Sequence, residues 1–456
     1  MREDSEPSDR PKRAKHSRSK RGCRVCRIRR IRCDLTKPSC TRCTSTGRKC
    51  EGYPIDIHPD ADAAAGGGRT LPAASALAKV LVPRSPSVNP HIDSNEHSHL
   101  SYFQHQTAHH FGGYLEDQFW SRLVLQLGTS DNCVLYVTIA LGSLHRKFEQ
   151  GCRSPKQAEH GAVGNDTGYL YAKAVTLLQG HIAEQGWRKL EVTLVCCILC
   201  TGFEWLRGDP KSASVHLRAG LEILQQWQTQ TAGGPSYWSP AGHLIRNKLA
   251  PFYTRLALQA GTVPDWSLPW NTLQATNTTI EPFQSLHHAR DSLCNLLGQV
   301  YLIPERRELL RMRTSKSLKE HKKYETLLSQ WAEYFHAYTT RETLTGHVQA
   351  SAIVLWLLYI AATVMLPNMY PDAEPGDTKD ETDAFGRMVN VAERLFSIYT
   401  SRFSIDLGWV APLYYVAANC RQPQIREKAL RFLASHQSYE GSWSSPEAVL
   451  RAKGLM

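Results

Sequence analysis

The 456-residue sequence lacks several signals that would assign it to well-known protein classes. Its first 22 residues hold no apolar segment, which argues against a secretory signal peptide and predicts a reducing compartment, the nucleus or the cytosol. The chain contains no HExxH, GxSxG, phosphate-loop or dinucleotide-binding motif and no recognisable pair of catalytic carboxylates, so we expect no enzyme. Long alternations of apolar and polar residues, typical of half-buried strands, are also missing, which favours a helical protein.

One apolar run is long enough to raise the question of a membrane. Ala350 to Leu366 reads ASAIVLWLLYIAATVML, at the short end of the roughly 17–25 residues that a spanning helix needs. The run is single and lies among amphipathic helical patterns, which favours a buried core helix over a membrane span. We therefore expect no membrane partner.

Cysteine is concentrated near the start of the chain. Six of the 13 cysteines form two copies of Cys-x2-Cys-x6-Cys with a further six-residue gap between them: Cys23, Cys26, Cys33, Cys40, Cys43 and Cys50. Zinc binds four ligands in a tetrahedron, so six thiolates satisfy two ions only if two of them bridge. No histidine lies within this stretch, so zinc sites that mix Cys with His fit poorly. Buried thiols or three disulfides are the alternatives, and a reducing compartment disfavours disulfides.

Residues 22–53, here called the cysteine module, resemble a known family. Their sequence, GCRVCRIRRIRCDLTKPSCTRCTSTGRKCEGY, is similar to the fungal Zn2Cys6 binuclear-cluster DNA-binding domain. Besides the cysteines, the resemblance rests on Gly22, Arg27, Asp34, Pro38, Gly47 and Gly52-Tyr53. It implies two short helices that open near Cys23 and Cys40.

The resemblance also implies how the metal is held. Cys23 and Cys40 would bridge two Zn2+ ions, with one site completed by Cys26 and Cys33 and the other by Cys43 and Cys50. About thirty residues cannot bury enough apolar surface to fold alone, so we expect metal ligation to supply the folding energy. We expect Ile28 and Ile31 to pack into the small core of the module.

Positive charge is concentrated in the same part of the chain. Residues 1–53 contain 17 Lys and Arg against 6 Asp and Glu, so +11 of the net +12 lies there, and a polyanionic partner is predicted. Residues 1–21 form a polar arm that we expect to be disordered. We interpret its basic run as a nuclear import signal or a phosphate-binding arm, with a merely solvated tail as the alternative: Lys12, Arg13, Lys15, Arg18, Lys20 and Arg21.

Four arginines lie between Cys26 and Cys33. The guanidinium fork of arginine pairs with the O6 and N7 edge of guanine or with phosphate oxygens. By resemblance, Arg29 and Arg30 occupy the base-contacting positions, and Arg27 and Arg32 the phosphate-contacting ones. The resemblance implies recognition of a CGG-like triplet in double-stranded DNA. The family often has lysine where Arg30 and Arg32 stand, which leaves the base preference open.

Residues 54–100 are rich in Ala, Gly, Pro and Ser, a composition typical of a flexible, disordered linker. Leu77, Val80 and Leu81 could begin a heptad seam, but Pro83 ends it. A coiled-coil dimer is therefore poorly supported, and the choice between monomer and homodimer stays open.

Residues 101–456, here called the helical domain, carry helical periodicity, and we expect a dozen or so helices in one all-α domain. Asp209-Pro210 is a typical N-cap and first helical residue. Apolar residues recur on one helical face in two segments: Leu194, Val195, Ile198, Leu199, Phe203 and Leu206, and Tyr324, Leu327, Leu328, Trp331, Phe335 and Tyr338. We expect Cys196, Cys197 and Cys200 to be small buried residues and His105, His109 and His110 to be ordinary.

The two ends of the helical domain resemble the regulatory region of many Zn2Cys6 factors. The matching segments start at Leu100 (LSYFQHQTAHHFGGYLEDQFW) and at Ser438 (SYEGSWSS). The resemblance implies a nuclear, sequence-specific regulator of RNA polymerase II genes, among them metabolic or secondary-metabolite genes, that works with transcription co-regulators. The alternative is a zinc module fused to a helical metabolite-binding receptor or enzyme domain. RNA binding by the cluster is disfavoured because it lacks the exposed aromatics that stack on unpaired bases.

Overall fold

The computed structural model describes residues 23–29, 31–36, 39–50, 92–115, 118–150, 165–232, 234–263, 279–369, 378–398 and 402–454. The chain divides into two compact units, Met1–Leu81 and Val82–Met456, which are described separately below. The basic arm, Arg30, the short heptad seam and the predicted linker up to residue 91 lie outside the described residues.

The first unit contains two short helices, α1 (Arg24–Ile28) and α2 (Thr41–Thr44), each opening directly after a cysteine. This confirms the two-helix module that the resemblance implied. The chain turns after α2 at Gly47, whose φ of +67° favours glycine because it lies in the left-handed region. Leu35 adopts a similar φ of +64° between the two halves of the module.

Helices dominate the described part of the second unit. Its helices are α3 (Ser94–Tyr102), α4 (Ala108–Phe111), α5 (Val124–Gly128), α6 (Asn132–Glu149), α7 (Asn165–Gln185), α8 (Leu190–Arg207), α9 (Pro210–Thr231), α10 (Pro235–Trp238), α11 (Pro240–Leu244), α12 (Ala250–Gly261), α13 (Leu286–Tyr301), α14 (Pro304–Arg311), α15 (Ser315–Arg341), α16 (Gly346–Met365), α17 (Lys379–Phe396), α18 (Val410–Asn419), α19 (Pro423–Ser435) and α20 (Ser445–Ala452). Shorter helical turns are of the π type (Phe103–Thr107, Phe119–Leu123 and Ile245–Leu249) or the 3-10 type (Gly186–Lys189 and Pro367–Met369).

The helices begin seven residues earlier than predicted. Asp93 caps α3 by accepting a hydrogen bond from the Glu96 backbone N–H at 2.7 Å, and the Glu96 side chain returns one to the Asp93 N–H at 3.0 Å. This reciprocal capping box stabilises a helix start, and Glu96 and His99 are buried. The prediction that the linker extends to residue 100 is therefore wrong for residues 94–100.

The core of the second unit is built from three groups of packed helices. α6 packs against α3, α7 and α8, and α8 packs against α9. A second group joins α16 to α17 and α18 to α19 and α20, and a third joins α13 to α12, α14 and α15. The predicted apolar face of α8 is buried, as are Tyr324, Leu328, Trp331 and Phe335 of α15. Asp209 caps α9 as predicted, accepting from the Ser212 N–H at 3.0 Å.

The apolar run lies within α16 except for its last residue, Leu366, which caps the helix. Among the described residues this is one helix long and apolar enough to cross a membrane, and 67% of its most apolar window is buried within the protein. It packs against α13, α15, α17 and α18. This burial supports the prediction of a core helix.

The segment after α17 forms part of a small sheet in the helical domain. β1 (Phe403–Ser404) pairs in parallel with β2 (Tyr439–Glu440), which pairs antiparallel with β3 (Trp443–Ser444). The all-α prediction missed this small sheet because two-residue strands cannot produce a visible alternation.

Four buried or half-buried charged side chains lie beside the sheet. Arg255 Nε is 3.0 Å and Arg290 Nη1 is 3.3 Å from Asp406 Oδ2. Both arginines also contact Asp291, at 3.2 and 3.0 Å.

Candidate metal centre

The six cysteines of the first unit converge on one site. Five of them are buried, and Cys50 is partly buried against the others. Sequence spacing alone places each Cys-x2-Cys pair on one helical turn: Cys26 lies within α1, Cys43 lies within α2, and each partner precedes its helix. Sulfur ligands enclosed in this way are typical of a structural metal site.

The two halves of the module repeat one pattern of backbone hydrogen bonds. The Cys23 N–H donates to Cys33 Sγ, and the Cys40 N–H donates to Cys50 Sγ, each at 3.5 Å. The same correspondence holds after each helix, where the Ile31 N–H donates to the Cys26 carbonyl and the Arg48 N–H to the Cys43 carbonyl. The internal repeat of the sequence is therefore a structural repeat. These N–H groups orient the sulfurs that a metal would bind.

The distances between sulfurs fit shared zinc ions. Tetrahedral zinc with Zn–S bonds of about 2.3 Å requires ligand sulfurs about 3.8 Å apart. Cys23 Sγ lies 3.5 Å from Cys40 Sγ and 3.7 Å from Cys43 Sγ. Cys26 Sγ lies 3.6 Å from Cys40 Sγ. Cys26 Sγ also lies 3.9 Å from Cys43 Sγ, closer than two sulfurs that the resemblance assigns to different ions would need to be. Cys33 Sγ also lies within 4.8 Å of Cys40 Sγ.

The protonation of these thiols depends on whether a cation is bound. Burial raises the pKa of the Cys23 thiol to about 12 and raises the pKa of Cys26 and Cys40 as well. Zinc binds thiolates, so metal binding must offset the cost of removing these charges from water and must release protons. The donor set thus fits a zinc cluster.

Asp34 connects the two halves of the module. Its Oδ2 accepts hydrogen bonds from the Thr41 hydroxyl at 2.6 Å and the Thr41 N–H at 2.9 Å, and Oδ1 accepts from the Arg42 N–H at 3.3 Å. Hydrogen bonds from Thr36 and Thr41 lower the pKa of this carboxyl well below its usual range. Asp34 therefore serves as the N-terminal cap that Cys40 does not provide for α2. The sequence marked Asp34 only as part of the resemblance, not by this role.

The arginine segment follows α1. Arg29 is half-buried, and its Nη1 donates to Thr46 Oγ1 at 3.3 Å, whereas Arg32 is exposed. Arg30 and the Arg27 side chain lie outside the described residues. The prediction that Ile28 and Ile31 pack into the module core is wrong, since they are 70% and 40% exposed. The cysteine sulfurs fill the interior of so small a module and leave no room for them.

The helical domain contains a cavity of about 690 Å³ near α10, α12 and α13. Arg246 contributes to its wall, with its guanidinium carbon 4.3 Å from the centre of the Tyr237 ring and 4.9 Å from that of Trp238. Its Nε is buried and makes no hydrogen bond with the residues that the structure describes. Nothing in the sequence pattern marked Arg246.

Three cysteines of α8 are buried, as predicted: Cys196, Cys197 and Cys200.

Comparison with known proteins agrees with this geometry. Residues 21–58 match the fungal Zn(2)-Cys(6) binuclear cluster domain, and residues 98–441 match the fungal specific transcription factor domain. The chain is 28% identical over 211 residues to the aspercryptin biosynthesis cluster-specific transcription regulator atnN of Emericella nidulans, which covers 43% of this chain and 33% of that protein. It is 26% identical over 231 residues to the transcription regulator lscL of Purpureocillium lilacinum, which covers 49% of this chain and 54% of that protein.

The chain thus spans between a third and about half of the length of these relatives. No solved structure matches it. The resemblance found in the sequence is confirmed at both ends of the chain. Because the second match covers most of its length, the chain belongs to the fungal specific transcription factor family, and its first unit carries the binuclear zinc cluster domain.

Proposed function

We propose that this protein is a nuclear regulator of RNA polymerase II genes that binds double-stranded DNA in a sequence-specific way and reads a CGG-like triplet. One observation carries the proposal: the six-cysteine site encloses α1 immediately before an arginine-rich segment. A short helix fixed by metal is rigid enough to present arginines to a major groove. The basic residues of the arm, Lys12 to Arg21, would add import or phosphate contacts.

Within the cluster, Cys23 and Cys40 would be the bridging ligands. The 3.5 Å between their sulfurs supports this, as does the way each also approaches a cysteine of the other half. Cys26 and Cys33 would complete one zinc site, and Cys43 and Cys50 the other. The zinc ions supply structural rigidity, and the protein supplies the DNA contacts.

The arginines would divide their roles. Arg29 and Arg30 would contact base edges, and Arg27 and Arg32 would contact phosphates, which fix position without reading sequence. The exposure of Arg32 supports a phosphate contact. The Arg29–Thr46 hydrogen bond supports a defined side-chain orientation, which base recognition requires.

The domain boundaries and target genes are part of the same proposal. Residues 22–53 would form the DNA-binding module, and the helical domain, extended to begin at residue 94, would be regulatory and contact co-regulators. One relative is named for a biosynthesis cluster. We therefore propose that this protein controls a secondary-metabolite gene cluster.

In vitro selection of duplexes bound by the full chain tests the DNA specificity. We expect enrichment of a CGG-like triplet, and the spacing of the selected triplets reports whether a monomer or a homodimer binds. Arg30→Ala should lose about 1–3 kcal/mol on the selected site and little on scrambled DNA, whereas Arg27→Ala should weaken both alike. Equal losses on both duplexes for Arg30→Ala would contradict the base-contact role.

The cavity beside Arg246 favours a second function, regulation by a small anionic metabolite. Its volume is in the range of about 300–1,000 Å³ typical of ligand sites, and its aromatic wall and guanidinium suit a planar carboxylate. Thermal-shift screening of the full chain with aromatic carboxylates should find stabilising ligands. Arg246→Gln should abolish the shift, and Arg218→Gln, an exposed control on α9, should keep it. Shifts that survive Arg246→Gln would refute this assignment.

A further inference from the structure

Three potential metal ligands meet in the helical domain, far along the chain from the cysteine module. His110 belongs to α4, and His145 and Glu149 belong to α6. A spacing of four residues places His145 and Glu149 on the same helical face. His110 Nδ1 lies 3.2 Å from His145 Nε2, and His145 Nε2 lies 3.8 Å from Glu149 Oε1. All three ligand atoms lie within 4.8 Å of one another.

These distances suit one ion. Zinc bonds of about 2.0–2.2 Å to nitrogen and oxygen in a tetrahedron place neighbouring ligand atoms about 3.4 Å apart. The observed 3.2 and 3.8 Å lie on either side of that value. Glu149 is the last residue of α6 and its side chain is 27% exposed, so it can make the small approach required.

A further residue fixes the orientation of His145. Thr107 Oγ1 lies 3.0 Å from His145 Nδ1, and the ring is fully buried. When His145 Nδ1–H donates to the Thr107 hydroxyl, Nε2 carries the lone pair that a metal needs, and metal-bound histidines are regularly held in this way.

A hydrogen bond between the two imidazoles would account for the 3.2 Å distance alone. It would not account for Glu149 Oε1, a buried oxygen that has no hydrogen-bond partner among the described residues. A buried carboxylate oxygen without a partner is costly. A cation at the centre of the three groups would offset that cost.

We propose that His110, His145 and Glu149 bind one Zn2+ ion, with two imidazoles and one carboxylate as protein ligands and the fourth position open to water. The ion joins α4 to α6 and is separate from the cysteine cluster. The site contains no sulfur, so it prefers metals that favour nitrogen and oxygen ligands.

Metal content tests the proposal directly. The full chain is dialysed to equilibrium against buffered micromolar free zinc, and bound metal is counted by mass spectrometry. We expect three zinc ions per chain, two from the binuclear cluster and one from this site. His110→Gln and Glu149→Gln should each retain two. His109→Gln, at the exposed neighbouring histidine, should retain three. Two ions in the unaltered chain, or three in Glu149→Gln, would overturn the proposal.

Cobalt provides a readout that separates the site from the cluster. Added to chain that holds two zinc ions in its cluster and none elsewhere, Co2+ should give weak visible bands without a thiolate-to-cobalt charge-transfer band. Glu149→Gln should lose these bands while its helical circular dichroism is unchanged, which separates a lost ligand from a lost fold. A charge-transfer band in the unaltered chain would place the cobalt on cysteine and refute the assignment.

Discussion

At the scale of single residues, two carboxylates act as helix caps over a distance in sequence. Asp34 caps α2 from seven residues before it. Glu440 is buried, and its oxygens accept from the Trp409 N–H at 3.1 Å and the Val410 N–H at 3.0 Å, at the start of α18. Both supply the acceptors that the first N–H groups of a helix lack. A side chain in such a position therefore stabilises a helix to which it does not itself belong.

Asp34→Ala should loosen the cysteine module. Without the carboxylate, the first N–H groups of α2 lose their acceptor, and the loop between the halves loses its link to Thr41. We expect zinc to be lost faster to a chelator, and the absorbance of a metal indicator measures the rate of this loss. Ser45→Ala, an exposed site at the end of α2, is the control and should release zinc at the unaltered rate. Equal rates for both variants would contradict the capping role.

Glu440 should make stability depend on pH. Burial raises its pKa from 4.5 to about 7, so between these values the native state holds a proton that the unfolded state has released. The stabilisation is complete below about 4.5 and is lost as pH rises through about 7. Glu440→Gln should therefore flatten the fall in melting temperature across this window, measured by tryptophan fluorescence.

The exposed carboxylate Glu393 offers the control for this experiment. Glu393→Gln should follow the pH curve of the unaltered chain. Parallel curves for Glu440→Gln and the unaltered chain would show that Glu440 does not titrate as described. Gly408 belongs to the same arrangement, since a Cβ there would overlap the Glu440 carboxylate.

At the scale of elements, local sequence signals found some helices and missed others. The periodicity of α8 and α15 and the Asp209 cap of α9 are contained within a few turns, so the sequence predicted them. The start of α3 also has a local signal, Asp93 followed by Glu96, but the Ala- and Pro-rich composition before it obscured the boundary. The β2 strand depends on pairing with β1, 36 residues away, and no local pattern predicts it.

The candidate sites differ in the same way. The cysteine ligands were predictable because a metal cluster imposes fixed local spacing. His110 and His145 are 35 residues apart, so only the packing of α4 on α6 brings them together. The i, i+4 spacing of His145 and Glu149 was the available signal, and it is too common to be informative alone. Arg246 had no signal, because its cavity is formed by several elements.

Close helix packing gives a paired prediction. A Cβ at Gly220 in α9 would overlap the Tyr253 hydroxyl, which donates to the Leu194 carbonyl of α8 at 2.7 Å. Gly220→Ala should cost about 1–3 kcal/mol in unfolding free energy, because a packed core resists added volume. Gly180→Ala, exposed on α7 with open space around it, should add about 0.5–1 kcal/mol. Denaturant unfolding measures both, and effects of the same sign would contradict this packing.

At the scale of the whole molecule, the positive charge and the large apolar core lie in different parts of the chain. Most of the net positive charge lies in residues 1–53, whereas the large apolar core lies in the second unit. The first unit has cysteine sulfur in place of an apolar core. DNA affinity should therefore depend on metal and salt, and thermal stability on helix packing.

Two cysteine substitutions separate these properties. Cys26→Ser removes a ligand, so binding to the selected duplex should fall to the level of scrambled DNA while the unfolding transition of the second unit is unchanged. Cys200→Ser places a hydroxyl in the buried interior of α8 and should lower the temperature of that transition. Zinc in the cluster and DNA binding at low temperature should both persist. Calorimetry and DNA-binding titrations report the two effects. A shift of the main transition in Cys26→Ser would contradict independent folding.

The position of the last described segment affects how deletion experiments should be read. Gln259 of α12 donates to the Glu440 carbonyl at 2.7 Å, the indole of Trp443 donates to Thr262 at 2.8 Å, and Asp406 neutralises two interior arginines. Removing residues 402–454 would delete one of the two carboxylates that pair with those interior cations and would leave Asp291 to pair with both. A truncated chain that fails in a reporter assay would therefore reveal collapse of the scaffold, and it should not be taken to map an activation surface.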